Sequence, residues 1–313
     1  MEFEVWRHSV MISRNKYSLK RDTIIVKANL FKAMRSFLEG EGFVEVHTPI
    51  LHHRPDYPID SHYSIIENNT VTWLRICMEL RLRQILSTGL KSVYEIGPCF
   101  RKEKGLEKPH EFYMMECFKE SITFGELIFL TEEICKHCAR SINITLPDGR
   151  WPIISITRLF TMEEIQNIKT GSKNIPSFIE LFDRTLDHKL KQIKERGGFF
   201  IVDYPVETIC LARRKETHSN IIERFELYIN GIEVAHGFID SIDYEDVRTR
   251  MKEIDWIDEP LLQLLKNKKL PPSGGVGIGM ERLLQALRRI EDINEIIIPE
   301  DIEVLRRNNY GKG

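Results

Sequence analysis

Two glutamates on either side of a turn motif, Glu226 and Glu233, could together hold a cation. The residues before the turn alternate apolar and polar side chains with the period of a β-strand, and Asn230-Gly231 is typical of a two-residue hairpin. Neighbouring strands lie about 5 Å apart, so the carboxylates could approach each other if they share a face. Their mutual repulsion would favour a bound cation such as Mg²⁺. A solvated polar face of the hairpin is the alternative interpretation.

Strict alternation predicts how the side chains after the turn are divided between the two faces of the second strand. Val234 and His236 then project from one face, and Glu233, Ala235 and Gly237 project from the other. The pattern alone therefore separates Glu233 from His236.

A glycine-rich segment from Ser273 to Gly279 could bind a phosphate chain, because Arg282 and a predicted helix follow it directly. A dinucleotide-binding loop is the first alternative, but it requires a βαβ unit and an acidic residue about 20 positions further on. The sequence after Arg282 does not contain that unit. The remaining interpretation is that the glycine backbone approaches a ligand closely beside the Arg282 guanidinium group. This arrangement suits phosphate oxygens.

Composition excludes several classes of protein. The chain has 313 residues, 42% hydrophobic residues and a formal net charge of -2, so it can bury a large core but has no basic excess for binding nucleic acid by bulk charge. The six cysteines lack the spacing of a disulfide scaffold, and Cys135 and Cys138 have no second pair to complete a zinc site. No apolar run approaches the ~20 residues of a membrane helix. We therefore expect a cytoplasmic protein without a membrane partner.

Helices and strands alternate along the chain around these candidate residues. The predicted elements are a helix over 23–40, a strand over 43–49, a helix over 79–90, a strand over 92–96, a charged loop over 100–116 between two strands, a helix that starts at the capping box of Thr123 and Glu126, helices over 162–168 and 178–195, and a strand over 199–205. No linker or repeat interrupts this pattern, so residues 23–313 are predicted to form one domain after a lead-in of residues 1–22.

Three of these segments resemble, in order and spacing, the catalytic domain of class II aminoacyl-tRNA synthetases, and within that class the lysyl branch. The helix and strand that end at Thr48-Pro49 are similar to the first motif, and the segment from Phe100 to Phe112 is similar to the second. The segment from Gly277 to Arg282 is similar to the third. The resemblance covers about residues 22–300 and implies an α+β fold in which helices flank an antiparallel sheet. It also implies a homodimer formed through the first motif.

The resemblance further implies that the chain binds ATP and Mg²⁺ and activates an amino acid as its adenylate, with release of pyrophosphate. The implied catalytic residues are Arg101, on the α-phosphate and the amino-acid carboxylate, and Arg282, on the γ-phosphate. Adenine would stack between Phe112 and Arg282. The other implied ATP contacts are Glu103 on the adenine amino group, Lys108, His110 and Gly279, with Glu226 and Glu233 as the Mg²⁺ ligands.

The implied amino-acid pocket departs from the lysyl pattern at three positions. Glu79, which would bind the α-amino group, Glu116 and Phe238 are retained; Phe118, His236 and Asp240 replace a tyrosine, an asparagine and a glutamate. A buried carboxylate still favours a cation, so a basic, lysine-like amino acid is the expected substrate. A neutral polar side chain bound to His236, and a packed His236 without substrate contact, are the alternatives.

The acceptor is implied by what precedes the first motif. Lysyl-tRNA synthetases carry an anticodon-binding barrel there, whereas about 22 residues precede it in this sequence. The chain is therefore more similar to the free-standing ligases that attach β-lysine to a lysine of elongation factor P, which implies a protein lysine as acceptor. Transfer to a tRNA, a carrier or a small amine, and a catalytically silent regulatory paralogue, are the alternatives.

Overall fold

The computed structural model describes residues 21–102, 109–193 and 197–298. The helices in these ranges are α1 Arg21–Gly40, α2 Glu79–Leu86, α3 Phe124–Ser141, α4 Ile156–Leu159, α5 Met162–Gly171, α6 Ile175–Leu190, α7 Tyr244–Glu253, α8 Glu259–Lys266 and α9 Met280–Arg288. The strands are β1 Val44–Glu45, β2 Leu51–His52, β3 Ser64–Glu67, β4 Thr70–Leu74, β5 Ser92–Phe100, β6 Glu111–Glu120, β7 Ile153–Ser155, β8 Gly198–Val202, β9 Arg214–Lys215, β10 His218–Ile222, β11 Arg224–Ile229, β12 Ile232–Ile239 and β13 Ser273–Gly279.

An eight-stranded sheet lies at the centre of the described fold, with the strand order β1-β5-β6-β13-β12-β11-β8-β7. Neighbouring strands are antiparallel except at the two edges, where β1 pairs with β5 and β7 pairs with β8 in parallel. Helices pack on this sheet, so the structure confirms the α+β class with an antiparallel sheet flanked by helices. None of the described helices is long and apolar enough to cross a membrane.

The two faces of the sheet bury two separate apolar clusters. Leu227 of β11 faces a cluster that includes Leu30 of α1 and Leu283 of α9. Its neighbour Tyr228 faces the opposite cluster, which includes Phe182 of α6. The alternation of β11 therefore anchors the same strand in both layers and leaves Glu226 on the face of Tyr228.

Several predicted elements are present at or near the expected bounds. The capping box that begins α3 is confirmed, because Thr123 accepts the backbone N–H of Glu126 while the Glu126 carboxylate accepts the backbone N–H of Thr123. Cys135 and Cys138 of this helix are fully buried in the apolar core. Among the described residues, no group of three or more His, Cys, Asp or Glu side chains could hold a metal ion. The cysteine pair is therefore accounted for by packing.

Other bounds differ from the prediction. The strand expected over 43–49 is reduced to β1, and the helix expected to reach residue 90 ends at Leu86. Much of the expected loop over 100–116 is paired backbone, because β5 runs to Phe100 and β6 begins at Glu111. Residues 103–108 of the expected loop lie outside the described residues.

The glycine-rich segment is a central strand, β13, with neighbours on both sides. Its glycines leave room for side chains of the flanking strands: a Cβ atom on Gly275 would lie 2.4 Å from the Phe118 ring. The backbone at these glycines therefore approaches protein side chains closely. Gly279 lies at the open end of the strand. The strand leads straight into α9, which carries Arg282.

Candidate active site

The predicted hairpin is confirmed, with β11 and β12 joined at Asn230 and Gly231. Both turn residues have positive φ angles, 50° and 82° respectively, which is the conformation required by the two-residue turn that favours this dipeptide. The turn sets the register of β11 against β12, and this register positions most of the residues discussed below.

The predicted division of β12 side chains between two faces is wrong, because the hairpin contains a β-bulge. Glu226 pairs with His236 and Leu227 with Ala235, but Tyr228 pairs with Glu233, so Val234 is an extra residue in β12. Val234 and Ala235 are both buried in the apolar core, and a bulge shifts the alternation by one residue. Glu226, Glu233 and His236 consequently lie on one face of the sheet.

Glu226 lies buried in a network of hydrogen-bond donors. Arg224 donates to Oε1, and the hydroxyls of Tyr204 and Tyr228 donate to Oε2 at 2.6 and 2.8 Å. Burial raises the pKa of the Glu226 carboxyl to about 7; Arg224 opposes this rise, while the negative charge of Glu233 adds to it. Sequence reasoning missed Arg224 and the two tyrosines, whose roles depend on the register and on the packing of β8 against β11.

Glu233 and Arg282 form an ion pair at the exposed edge of this network. Arg282 donates from Nη1 to Glu233 Oε2 at 3.0 Å and to the Glu233 carbonyl at 3.2 Å. Both side chains are more than one third exposed. The guanidinium group of the third motif is therefore held beside the hairpin and remains accessible to solvent.

The donor chemistry of Glu226 and Glu233 fits an ATP-bound Mg²⁺ ion. Mg²⁺ usually takes one or two protein carboxylates and completes its shell with phosphate oxygens and water. Glu233 has the more accessible carboxylate, whereas both oxygens of Glu226 accept hydrogen bonds within the protein. Glu233 would thus be the more direct ligand, and the pair as a Mg²⁺ site stays a prediction.

Arg101 follows β5 directly and lies against the aromatic ring of the second motif. Its Nε donates to the carbonyl of Ile76 at 3.1 Å, and its guanidinium group lies 5.2 Å from the centre of the Phe112 ring. The backbone N–H of Arg101 donates to the carbonyl of His110, whose ring contacts the hydroxyl of Tyr63. Arg101, Phe112 and His110 are therefore close together, as the resemblance implies.

Two predicted ATP contacts, Glu103 and Lys108, lie outside the described residues. Gly279 ends β13 and is the residue before α9. Glu281, one residue before Arg282, joins the three motifs: its carboxylate accepts from Lys27 of α1 at 2.7 Å and from the backbone N–H of Tyr113 in β6 at 2.9 Å. This buried glutamate fixes the third motif against the first two.

At the α-amino end of the predicted amino-acid pocket, Glu116 of β6 is buried, and Glu79 at the start of α2 is partly exposed. Glu116 Oε2 accepts the backbone N–H of Met78 at 3.0 Å. Burial, followed by the negative charge of Glu79, raises the pKa of Glu116 to about 8. The pocket therefore places two carboxyl groups where the α-ammonium group of an amino acid is expected to bind, and a bound cation would favour their ionised forms.

We expect Glu116→Gln to remove a pH dependence of stability. From its ordinary pKa of 4.5 to about 8, the folded protein retains a proton that the unfolded chain releases, so the stability that the neutral carboxyl contributes is lost as pH rises through this window. Glutamine can accept the same N–H bond without charging. Relative to the parent, the unfolding free energy of the variant should rise by about 4–5 kcal/mol across the window, at roughly 1.4 kcal/mol per pKa unit.

Urea denaturation at several pH values checks this expectation, and Glu111→Gln on the exposed end of the same strand is the matched control. A difference between Glu116→Gln and the parent that stays constant with pH would contradict it.

One residue that sequence reasoning missed, Arg83 of α2, lies in the middle of the predicted amino-acid pocket. Its Nη2 atom is 3.0 Å from Glu79 Oε1 and 2.7 Å from Asp240 Oδ1. Its guanidinium group lies between two aromatic rings, 5.1 Å from the centre of Phe118 and 5.4 Å from that of Phe238. The spacing of four residues between Glu79 and Arg83 on a helix could have indicated their contact.

His236 is neutral and carries its proton on Nδ1. Arg224 donates from Nε to His236 Nε2 at 3.0 Å, and because arginine has no acceptor, Nε2 must be the unprotonated nitrogen. Burial, and then the positive charges of Arg224 and Arg101, hold the pKa of His236 well below its usual value. The structure places His236 beside Phe238, with ring centres 5.7 Å apart.

Comparison with known proteins gives a consistent result. Residues 5–299 match the family described as tRNA synthetases class II (D, K and N). The chain is similar to the lysine–tRNA ligase of Xanthomonas oryzae pv. oryzae (strain MAFF 311018), with 30% identity over 328 residues, 89% of this chain and 63% of that protein. It is also similar to that of Helicobacter hepaticus (strain ATCC 51449 / 3B1), with 28% identity over 340 residues, 93% of this chain and 63% of that protein. The chain thus spans less than two thirds of the length of these relatives.

Proposed function

Because the chain belongs to the class II tRNA synthetases of the D, K and N group, we propose that it activates an amino acid with ATP and transfers it to an acceptor. In the first step, an oxygen of the amino-acid carboxylate bonds to the α-phosphorus of ATP, and pyrophosphate leaves. In the second step, a nucleophile on the acceptor attacks the activated carbonyl, and AMP leaves.

The observation that carries this proposal is the joining of the three motifs at one place by Glu281. Its contacts with Lys27 and Tyr113 hold Arg282 on the side of the sheet where β6 carries Phe112. Two anions, a carboxylate and a triphosphate, must approach each other in the first step, so fixed cations on both sides of the reacting atoms lower the barrier. A binding module would not need this arrangement.

The roles of the individual side chains follow from their positions. Arg101 can bind the carboxylate and the α-phosphate together through its planar fork, and Arg282 can bind the far end of the triphosphate. Glu79 and Glu116 would bind the α-ammonium group. Mg²⁺, when bound at Glu233 and Glu226, would neutralise the charge of the leaving pyrophosphate.

Amino-acid-dependent exchange of labelled pyrophosphate into ATP tests the proposal. Lysine, the amino acid named by the relatives and expected from the retained carboxylates, is the reference, and β-lysine, ornithine and the other common amino acids complete the panel. At least one amino acid should drive exchange. Exchange with none of them, in a protein that binds ATP, would favour the catalytically silent alternative.

For the acceptor, we propose a protein lysine, as in the ligases that modify elongation factor P. The formal net charge of -2 does not favour wide contact with RNA. Aminoacylation of tRNA is the second candidate, because the relatives are named lysine–tRNA ligases. Incubation with labelled amino acid and either acceptor separates the two, and label on tRNA alone would reject the first.

We also propose a homodimer formed through the first motif. The large apolar side chains exposed in this part of the chain are Ile24, Ile25, Val44, Ile50 and Leu51, and an edge strand bearing such residues is suited to pairing. Light scattering should give twice the mass of the chain, and Val44→Lys should lower it. A monomeric parent at micromolar concentration would contradict this proposal.

A further inference from the structure

Within the proposed activation reaction, on which this inference rests, we propose that Arg83 determines the substrate side chain. The residue forms the inner end of the side-chain subsite and selects an amino acid whose side chain ends in an oxygen acceptor, a carboxylate or a carboxamide. An amino acid ending in an ammonium group is disfavoured.

The position of Arg83 is the first argument. Four of the six residues implied for the amino-acid pocket contact its guanidinium group: Glu79, Phe118, Phe238 and Asp240. The side chain is 97% buried, with 3% exposed. The protein therefore supplies its own cation at the place where a lysine-like substrate would bring one.

The second argument is that the pocket carboxylate already has a cationic partner within the protein, although Oδ1 of Asp240 makes no hydrogen bond with any described residue. Oδ1 of Asp240 lies 2.7 Å from Arg83 Nη2, and Oδ2 accepts the hydroxyl of Ser273 at 2.6 Å. An incoming ammonium group would have to displace Arg83 or stand beside it, and like charges at close range in a buried site repel strongly. The prediction of a basic substrate assumed that the Asp240 carboxylate has no cationic partner within the protein.

The third argument concerns donors without acceptors. Nε and Nη1 of Arg83 are buried and make no hydrogen bond with any described residue, and each such atom costs about 1–3 kcal/mol if it stays unpaired. A carboxylate or carboxamide oxygen that reaches these donors would remove the cost.

His236 adds a further donor on the same face. Its Nδ1 carries the proton because Nε2 accepts from Arg224. The side-chain end of the pocket thus offers N–H groups from two residues, while its acidic group Asp240 is held by Arg83 and Ser273. Such a site rejects substrates that cannot accept hydrogen bonds, because its donors then remain unpaired.

Binding of non-reactive adenylate analogues, the aminoacyl sulfamoyl adenosines, tests the inference by calorimetry. The glutamyl and glutaminyl analogues should each bind the parent at least about 10-fold more tightly than the lysyl analogue, which corresponds to one lost charged hydrogen bond. In Arg83→Met, which keeps a flexible stem between the two rings but frees Asp240 and Glu79, the order should reverse. Arg83→Lys, which keeps a cation, should retain the order of the parent.

Arg81→Met is the matched control, because Arg81 lies on the same helix but pairs with Asp56, at 3.7 Å, rather than with Asp240; it should keep the order of the parent. The parent measurement stands even if Arg83→Met does not fold. Tighter binding of the lysyl analogue to the parent, or an order unchanged in a folded Arg83→Met, overturns the inference. Failure of every amino acid to drive pyrophosphate exchange would instead reject the proposed activation, while the analogue measurements would still report on the pocket.

Discussion

Arg101→Lys should lower the rate of amino-acid-dependent pyrophosphate exchange by about 10²–10³-fold, the loss typical when one fixed donor to a developing charge is removed. Lysine retains the positive charge but not the planar fork, so it cannot bind the amino-acid carboxylate and the α-phosphate at once. It also cannot lie flat on the Phe112 ring, 5.2 Å from the guanidinium group. The loss should fall on kcat more than on the KM for ATP, because both contacts matter most in the transition state.

Steady-state exchange at several ATP and amino-acid concentrations measures both parameters. Lys102→Gln is the matched control, because it removes the neighbouring cation, whose side chain is exposed and lies over the Tyr63 ring; it should change the rate less than about threefold, as expected for a weakly coupled surface charge. A rate for Arg101→Lys equal to that of the control would show that Arg101 does not contact the reacting atoms.

Arg75→Met should lower the free energy of unfolding by about 3–5 kcal/mol, the usual cost of leaving a buried charge without its partner. Arg75 is 1% exposed, pairs with Glu95 at 2.6 Å and donates to the carbonyl of Pro98 at 2.8 Å. It also donates to the side chain and carbonyl of Thr48. One side chain therefore joins the end of β4 to β5 and to the last residues of the first motif.

Urea denaturation measures this loss, and the double variant Arg75→Met/Glu95→Leu shows its origin. Replacing both partners removes the uncompensated carboxylate, so the double variant should be more stable than Arg75→Met alone despite carrying two substitutions. A double variant less stable than either single variant would instead indicate that hydrogen bonds to the backbone dominate at this site.

Local rules were sufficient for the elements whose residues are close in sequence. The hairpin followed from Asn230-Gly231, whose positive φ angles match the turn, and α3 followed from its capping box. The three motifs were recognised by their order and spacing, and the family match over residues 5–299 bears out this resemblance. The acidic pair of the hairpin was identified as a candidate Mg²⁺ site from residue type and spacing, and that role stays a prediction.

Features that depend on packing between residues distant in sequence could not be predicted from these local rules. The bulge at Val234 shifts the alternation by one residue, and only the core that buries both Val234 and Ala235 determines it. The partners of Glu226 come from β11 and from the segment that follows β8, and Asp240 meets Arg83 across more than 150 positions of sequence. A charge on a helix gives no indication of whether it faces solvent or a distant carboxylate.

The bulge has a direct consequence for the site. Without it, Glu233 would project into the apolar core and His236 would lie on the opposite face from it. With it, the two residues of the hairpin implied in Mg²⁺ binding and the three implied in substrate binding, His236, Phe238 and Asp240, share one surface. The part of the hairpin near the turn faces Arg282, and the part beyond His236 faces Arg83.

The attack of the amino-acid carboxylate on the α-phosphorus is the central claim, and heavy oxygen in that carboxylate tests it most directly. The purified protein is incubated with ATP, a carboxylate-labelled amino acid that drives exchange, and hydroxylamine as a simple acceptor, and the AMP is analysed by mass spectrometry. One labelled oxygen should appear in AMP, because the bond formed to phosphorus survives when the acyl group departs. AMP formed at the same rate without labelled oxygen would show that the carboxylate never bonded to phosphorus.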